Sequence, residues 1–198
     1  MRYNVLGVSG LAGAGKSTLC NYIRDLAPNT VEVQIHPMAA ALKRVALQYG
    51  WDGVKDEKGR RLLQSLGQTF RDYDDKTWLR EWYSGFMESV LHASIHTSYK
   101  CLIAIVDDMR HHNEAGIVKQ LGGTTLRLEG RGGLAGAAGK HESEIHIMNL
   151  EVDKVYHNDR DINHLEERAK HLVQELLTSS HEIQCAFDAA SSLRSVDD

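Results

Sequence analysis

The clearest chemical signal in this sequence is a glycine-rich octet near its start. Residues 10–17 read GLAGAGKS and match the pattern G-x-x-x-x-G-K-[ST] at every fixed position. In such a loop the glycines let the backbone curl until successive N–H groups point at the oxygens of a phosphate. Lys16 is suited to bridge the β- and γ-phosphates, and the Ser17 hydroxyl is suited to bind Mg²⁺. The octet therefore predicts a phosphate-binding loop, or P-loop, that takes ATP together with Mg²⁺.

The predicted nucleotide contacts extend from this loop into the helix that should follow it. An apolar stretch precedes the octet and helical spacing follows it, which is the context that a P-loop requires. A glycine turn before a helix, with no ligand, is the alternative interpretation. The residues predicted to contact the nucleotide are Gly10, Ala12, Gly13, Ala14, Gly15, Lys16, Ser17 and Thr18.

A second chemical signal is a pair of aspartates directly after an uninterrupted apolar run. Residues 102–106 are apolar throughout, and Asp107 and Asp108 follow them. The carboxyl ends of parallel strands lie at the edge of the sheet where ligands bind, so acids placed there face the phosphates. A plain polar end to a strand is the alternative. We therefore predict Ser17, Asp107 and Asp108 as metal ligands, without choosing between the aspartates, and Asp108 also as a catalytic residue.

The elements that must hold these residues alternate between strands and helices. Apolar runs predict strands at residues 3–9, 31–35, 101–106, 124–128 and 152–157. Helical spacing predicts helices at residues 16–26, 39–49, 58–70, 77–95, 113–121 and 161–177, with Asp161 capping the last. This alternation predicts an α/β fold of the P-loop NTPase type, with three layers around a parallel, doubly wound sheet.

Length and composition favour one ordinary globular domain. The chain has 198 residues, of which 42% are hydrophobic and 25% are charged. Its formal net charge of −4 argues against stable binding to nucleic acid, which favours basic surfaces. The cysteines form no paired motif, and neither a signal peptide nor a membrane-length apolar run is recognisable. We expect a cytoplasmic protein that does not engage membranes and that binds a small-molecule nucleotide; the sequence also allows a homodimer.

Several further motifs follow the aspartates in a fixed order. They are residues 108–114 (DMRHHNE), Gly122-Gly123, Arg127, Arg131, residues 141–144 (HESE) and Asn158-Asp159. This order resembles the deoxynucleoside monophosphate kinases of tailed bacteriophages, whose pattern is close to D-V-R-x-x-N-E, G-G, an arginine-containing lid, H-x-S-E and N-D. Residues 61–67 (RLLQSLG), with Arg71 and Trp78 beyond them, are similar to the substrate region of that family. The resemblance extends over roughly residues 4–177.

The resemblance implies an ATP-dependent kinase of a deoxynucleoside monophosphate, in the host cytoplasm if the protein is viral. It implies a kinase domain at residues 1–178, with a helical substrate-binding region at about 38–98 and a mobile lid at about 129–145. The polar residues 179–198 are expected to form a flexible tail. The residues implied at the acceptor are Lys43, Arg71, Trp78, Arg110 and Glu144, and Asn158 is implied at the nucleotide. Packing in the core is the alternative for Trp78.

Arg127 precedes the glycine-rich segment 130–140, which we expect to be mobile, and Arg131 lies within it. Phosphoryl transfer gathers several negative charges, so cations that close over the site would stabilise the reaction and exclude water. Arg131 and Arg127 are therefore predicted as catalytic residues beside Lys16 and Asp108, although Arg127 could equally be an outward strand residue. Other acceptors remain as alternatives, namely dephospho-coenzyme A, phosphomevalonate or a hydroxymethylated pyrimidine in DNA, as does a nucleotide-gated binding module.

Overall fold

The structure is a computed structural model that describes residues 2–96, 99–130, 132, 142–179 and 181–182. Within these residues the chain forms six strands and seven helices. The strands are β1 (Arg2–Ser9), β2 (Val31–Ile35), β3 (Cys101–Val106), β4 (Thr124–Glu129), β5 (Lys154–His157) and β6 (His181–Glu182). The helices are α1 (Lys16–Leu26), α2 (Ala40–Gln48), α3 (Glu57–Tyr73), α4 (Thr77–His96), α5 (His112–Gln120), α6 (Glu142–Asn149) and α7 (Ile162–Thr178).

Strands β1 to β5 form a parallel sheet in the spatial order β2-β3-β1-β4-β5. From β1 the chain first passes to β2, on one side of β1, and from β3 it later passes to β4, on the other side of β1. The direction of winding therefore reverses around β1. The carboxyl ends of β1 and β3 are neighbours there, with Gly7 opposite Val106. Ligands of open parallel sheets bind at this kind of switch point. The predicted parallel, doubly wound sheet is confirmed.

Strand β6 is the exception to the parallel arrangement. It pairs antiparallel with the start of β1, where Arg2 lies opposite Glu182 and Tyr3 opposite His181. Strand β4 pairs with β1 only from Leu6 onward, so β6 covers an edge of β1 that β4 leaves open. The prediction of a flexible tail over residues 179–198 is therefore wrong for the two residues of β6. Residues 183–198 lie outside the described residues.

Two layers of helices cover the sheet, one on each face. On β3, Ile103 and Ile105 belong to a core shared with α1 and α7, whereas Leu102, Ala104 and Val106 belong to a core shared with α4 and α5. The side chains of β1 alternate between the same two cores. The strand ends that follow β1 and β3 are thus held by packed helices on both sides.

Most predicted elements agree with the structure apart from their boundaries. Helix α3 begins earlier than predicted because Asp56 caps it, accepting a hydrogen bond of 2.7 Å from Gly59 N. The predicted cap of α7 is confirmed, since Asp161 accepts a hydrogen bond of 3.0 Å from His164 N. Helix α6 was not predicted. Among the described residues, none of the helices has the length and apolar character needed to cross a membrane.

Candidate functional site

The glycine-rich loop connects β1 to α1. Gly10, Gly13 and Gly15 have φ values of +142°, +80° and +100°, which residues with a side chain rarely adopt. Gly15 is also the residue from which α1 begins, and its carbonyl accepts a hydrogen bond of 3.0 Å from Leu19 N. The amides of the first helical turn therefore lie at the loop, where they can serve an anion. Glycine stands at the positions where the curled backbone requires it.

Two neighbouring strand ends pack against this loop. A Cβ atom on Gly10 would lie 2.5 Å from the Leu128 carbonyl oxygen, and a Cβ atom on Gly15 would lie 2.5 Å from Asn158 Nδ2. Asn158 follows β5, is 7% exposed and donates a hydrogen bond of 2.9 Å from Nδ2 to the Ala14 carbonyl. Asn158 thus supports the shape of the loop, while its direct contact with a nucleotide stays a prediction.

Lys16 and Ser17 lie in the first turn of α1. Lys16 Nζ donates hydrogen bonds to the carbonyl oxygens of Gly10, at 2.6 Å, and Leu11, at 2.9 Å. The ammonium group therefore lies over the loop and not out in solvent. Ser17 is exposed and Thr18 is half-buried. From these positions a lysine and a hydroxyl could both reach a phosphate chain held by the loop.

Asp107 and Asp108 serve opposite sides of the sheet. Asp107 follows the last residue of β3 directly, in the same alternate phase as Ile103 and Ile105, which pack on the α1 side. Burial, and after it the charge of Asp107, raises the pKa of Cys20 on α1 to about 12, which places this carboxylate near α1. Asp108 turns the other way and accepts hydrogen bonds from the backbone before α2.

Asp107 fits the environment of a bound cation. Its Oδ1 is buried and has no hydrogen-bond partner among the described residues. Burial and the charge of Asp108 raise the pKa of Asp107, while Lys43 and Lys16 oppose this effect. A buried oxygen without a partner is costly unless a ligand or ion satisfies it. Asp107 and the Ser17 hydroxyl offer hard oxygen donors of the kind that Mg²⁺ takes.

A cavity of about 200 Å³ lies beside Asp108, between α2, α3 and the start of α5. Its apolar lining includes Leu42, Leu63 and Trp78. Trp78 is 7% exposed and donates a hydrogen bond of 3.2 Å to the Gly67 carbonyl, so it belongs both to the packed interior and to the cavity wall. The cationic residues that line the cavity are Lys43, Lys55, Arg60, Arg71 and Arg110.

Cations outnumber acids in this cavity, where Asp108 and Glu114 are the carboxylates among the described lining residues. The charge of Lys43, followed by burial, lowers the pKa of Lys55. Like charges held near one another repel, and an anion bound between them would relieve that repulsion. The cavity is therefore suited to a small anionic group such as a phosphate.

Glu114 is a buried acid in the cavity wall. Its Oε2 accepts hydrogen bonds from the backbone N–H groups of Arg110, at 2.6 Å, and His111, at 3.0 Å. Burial raises the pKa of Glu114 to about 7, aided by the charge of Asp108 and opposed by the two backbone hydrogen bonds. These contacts fix the turn that carries Arg110 into the cavity.

The cavity gathers most of the residues expected at the acceptor. Lys43, Arg71, Trp78 and Arg110 all line it. Lys55, Arg60 and Glu114 also line the cavity but were not predicted as site residues. A run of basic residues between 55 and 61 (KDEKGRR) was the available signal for the first two, whereas nothing in the sequence indicated that Glu114 would be buried.

Arg127, which was predicted as a catalytic residue, makes structural contacts on β4. Its Nε donates a hydrogen bond of 2.7 Å to Glu129 Oε1, and a terminal nitrogen donates one of 2.6 Å to the Leu150 carbonyl. The side chain is only 15% exposed. Arg127 does not line the cavity, and these contacts tie β4 to the segment after α6. Arg127 is therefore a structural support here, and its catalytic role stays a prediction.

Two other predicted site residues cannot be placed. Arg131 lies outside the described residues, as does most of the predicted lid at about 129–145. Glu144 belongs to α6, but its side chain is also outside the described part of the structure. The roles of both residues stay predictions.

The strand order, the P-loop after the first strand and the acids after β3 define a parallel α/β protein built to bind a phosphate chain. No protein-family model matches the chain. A protein of Acanthamoeba polyphaga mimivirus, named "Putative deoxynucleotide monophosphate kinase", is 26% identical to it over 184 residues. The match covers 80% of this chain and 90% of the mimivirus protein.

Solved kinase structures also show similarity to this chain, all of it low. A sugar kinase from Janibacter sp. has 16% identity and a TM-score of 0.48, with 91% of this chain and 99% of that chain covered. The APS kinase of Mycobacterium tuberculosis, solved with AMPPNP and APS, has 10% identity and a TM-score of 0.43, with 89% and 98% covered. Similarities of this size carry no argument about activity or substrate.

Proposed function

We propose that this protein transfers the terminal phosphoryl group of ATP to a deoxynucleoside monophosphate. The observation that carries the proposal is the meeting of two anion-binding features at one edge of the sheet. The P-loop follows β1, the cation-lined cavity lies beside the end of β3, and Asp107-Asp108 stands between them. The name of the mimivirus relative supports both the reaction and the class of acceptor. The order of motifs shared with the bacteriophage kinases supports the same proposal.

In the proposed reaction the two sites hold the two substrates head to head. The loop amides and Lys16 bind the phosphate chain of ATP, and the cavity cations, among them Lys43 and Arg110, bind the phosphate of the acceptor. An oxygen of that phosphate attacks the γ-phosphorus in line, and the bond to the β,γ-bridging oxygen breaks to leave ADP. No protein nucleophile is needed, because the attacking oxygen is already anionic. Lys16 stabilises the charge that spreads over the transferring group.

The metal proposed for this reaction is Mg²⁺. Ser17 and Asp107 would hold it, and the ion would neutralise negative charge on the phosphate chain of ATP. The exposed position of Ser17 supports this assignment, as does the buried Oδ1 of Asp107, for which the described part of the chain provides no hydrogen-bond partner. Arg131 remains the proposed cation of the lid.

The test is a transfer assay with γ-labelled ATP, Mg²⁺ and each common deoxynucleoside and nucleoside monophosphate in turn. We expect label in the diphosphate of at least one deoxynucleotide, in step with ADP. A thermal-shift screen with an ATP analogue present should single out the same acceptor, because a ligand at a hundred times its Kd stabilises a protein by about 2.7 kcal/mol. Label released only as inorganic phosphate, or transferred to no monophosphate, would contradict the proposal.

A further inference from the structure

Asp108 anchors the start of α2 from a distant part of the chain. Its two carboxylate oxygens accept hydrogen bonds from the backbone N–H groups of Met38, at 2.6 Å, and Ala39, at 3.2 Å. Helix α2 has no side-chain cap of its own and no acid in its first turn. A carboxylate at this end of a helix satisfies amides that have no helical partner and also complements the helix dipole. Asp108 therefore anchors the backbone immediately before α2, where the local sequence offers no side chain to do so.

Helix α2 in turn carries Lys43 into the cavity. The N–H of Lys43 donates a hydrogen bond of 3.0 Å to the Ala39 carbonyl, so Lys43 is one helical turn beyond the anchored residues. Its Nζ lies 4.0 Å from Asp108 Oδ2, on the same carboxylate that holds the helix. Lys55, another cavity cation, lies near enough to Lys43 for the two charges to repel. Lys43 therefore lies between the attraction of the Asp108 carboxylate and the repulsion of the Lys55 ammonium group.

We propose that Asp108 is a positioning residue for the acceptor side, setting α2 and Lys43 at the cavity, and that Asp107 alone serves the nucleotide and its metal. The two adjacent aspartates thereby divide between the two substrates. Their separate environments support this division, since Asp107 Oδ1 is buried without a hydrogen-bond partner among the described residues and Asp108 binds the backbone before α2. The proposal rests on the proposed function in taking the cavity as the site of the acceptor phosphate. It also says which of Asp107 and Asp108 serves the metal, a choice that the sequence left open.

The matched variants Asp107→Asn and Asp108→Asn test this division by steady-state kinetics. For Asp108→Asn we expect the KM for the acceptor to rise about tenfold or more, because a misplaced charged contact forfeits a charge-assisted hydrogen bond. The KM for ATP, the Mg²⁺ concentration at half-maximal rate and the kcat at saturating acceptor should stay near wild type. For Asp107→Asn we expect a lower kcat and a higher Mg²⁺ requirement with little change in acceptor KM. The proposal is overturned if Asp108→Asn shows this second pattern.

A double-mutant cycle with Lys43→Gln tests whether Asp108 acts through the lysine. If it does, adding Asp108→Asn to Lys43→Gln should raise the acceptor KM much less than it does in the wild type. If the two substitutions raise the acceptor KM by independent factors, so that the double variant shows their product, Asp108 does not act through Lys43. That result would overturn the positioning role.

Amide hydrogen exchange separates this proposal from the proposed function, because it needs no turnover. Peptides that contain residues 38–43 should exchange faster in Asp108→Asn than in wild type or Asp107→Asn, with global unfolding of all three proteins measured beside it. Unchanged exchange in Asp108→Asn would overturn the anchoring. If the wild-type protein transfers phosphate to no acceptor while Asp108→Asn still exchanges faster, the proposed function is contradicted and the anchoring of α2 by Asp108 is not.

Discussion

Lys16 and Lys43 lie on the two sides of one pair of strand ends, and the proposed chemistry gives them different anions. Lys16 lies over the P-loop, hydrogen-bonded to two loop carbonyls, and Lys43 lines the cavity near Asp108. Each ammonium group thus has partners that a phosphate could replace or join. Substitutions at these two lysines should therefore act on different kinetic constants.

Lys16→Ala should abolish most phosphoryl transfer. The variant removes a cation that stabilises charge in the transition state, and the loss of one such group lowers kcat by on the order of 10² to 10³. The measurement is kcat at saturating ATP and acceptor. Arg24→Ala, an exposed cation on the same helix, is the matched control and should keep wild-type kcat. Near-normal turnover of Lys16→Ala would remove Lys16 from the mechanism.

Lys43→Ala should raise the KM for the acceptor about tenfold or more, since a hydrogen bond to a charged group contributes about 1.5 to 3 kcal/mol. The KM for ATP should change little. The neighbouring Arg44 is exposed and does not line the cavity, so Arg44→Ala controls for the loss of a positive charge on α2. Equal changes in both variants would mean that only general electrostatic attraction is at work.

At the scale of single residues, the sequence predicts the position of a side chain best where a motif also fixes the local backbone. The P-loop pattern fixes its own backbone, and each of its glycines has the expected conformation. The placement of Asp107 and Asp108 on different sides of the sheet could not be predicted, because it depends on which helices cover each face of β3. For Arg127 the sequence left open a structural and a catalytic role, although Glu129, two residues further along the same strand and on the same side, was a visible ion-pair partner.

At the scale of elements, the site depends on contacts that tie loops to neighbouring strands. Asn158 after β5 holds the P-loop through the Ala14 carbonyl, and Arg127 on β4 holds the Leu150 carbonyl after α6. Helix α6 escaped prediction because it is short, with few apolar residues, and β6 because it is two residues long and pairs only through its backbone. Neither leaves a periodic pattern in the sequence.

Arg127→Ala should lower stability and leave catalysis largely intact. The variant leaves the Glu129 carboxylate and the Leu150 carbonyl without their partner, at a cost of about 1 to 3 kcal/mol in the free energy of unfolding. Denaturant unfolding and kcat at saturating substrates are the two measurements. A large loss of kcat with an unchanged free energy of unfolding would show that Arg127 is a catalytic residue.

At the scale of the whole molecule, one sheet edge brings together parts of the chain that are far apart in sequence. The hydrophobic pattern predicted the strands and the two helical layers that make this edge. It did not predict the cavity, because the inward-facing sides of α2 and α3 are set by how these helices pack on one another. Glu114, on α5, is buried in the wall of this cavity, and this burial links the stability of the fold to pH.

The pKa of Glu114, raised to about 7 from 4.5, gives this link its sign. A carboxyl whose pKa is raised by folding stabilises the fold fully below its unfolded pKa, and that contribution is lost as pH rises through about 7. The difference in unfolding free energy, wild type minus Glu114→Gln, should therefore fall between pH 5 and pH 8. Since one pKa unit corresponds to about 1.4 kcal/mol, the fall should be no more than about 3 kcal/mol.

Denaturant unfolding of both proteins across this range is the measurement. Glu88→Gln, at an exposed position of α4, is the control and should show no such fall. A difference that grows with pH would mean that Glu114 is held as a stabilised carboxylate by its two backbone hydrogen bonds and not destabilised by its burial.

The central claim, that the P-loop and the cavity form one reaction centre, can be tested by calorimetric titration with a linked ligand in which a polyphosphate joins adenosine to a deoxynucleoside. We predict one molecule bound per chain, in competition with both ATP and the acceptor, and weakened by Lys16→Ala and by Lys43→Ala alike. Binding that Lys43→Ala leaves untouched, or two linked molecules per chain, would contradict the account, because the two anion sites would then not face a common ligand.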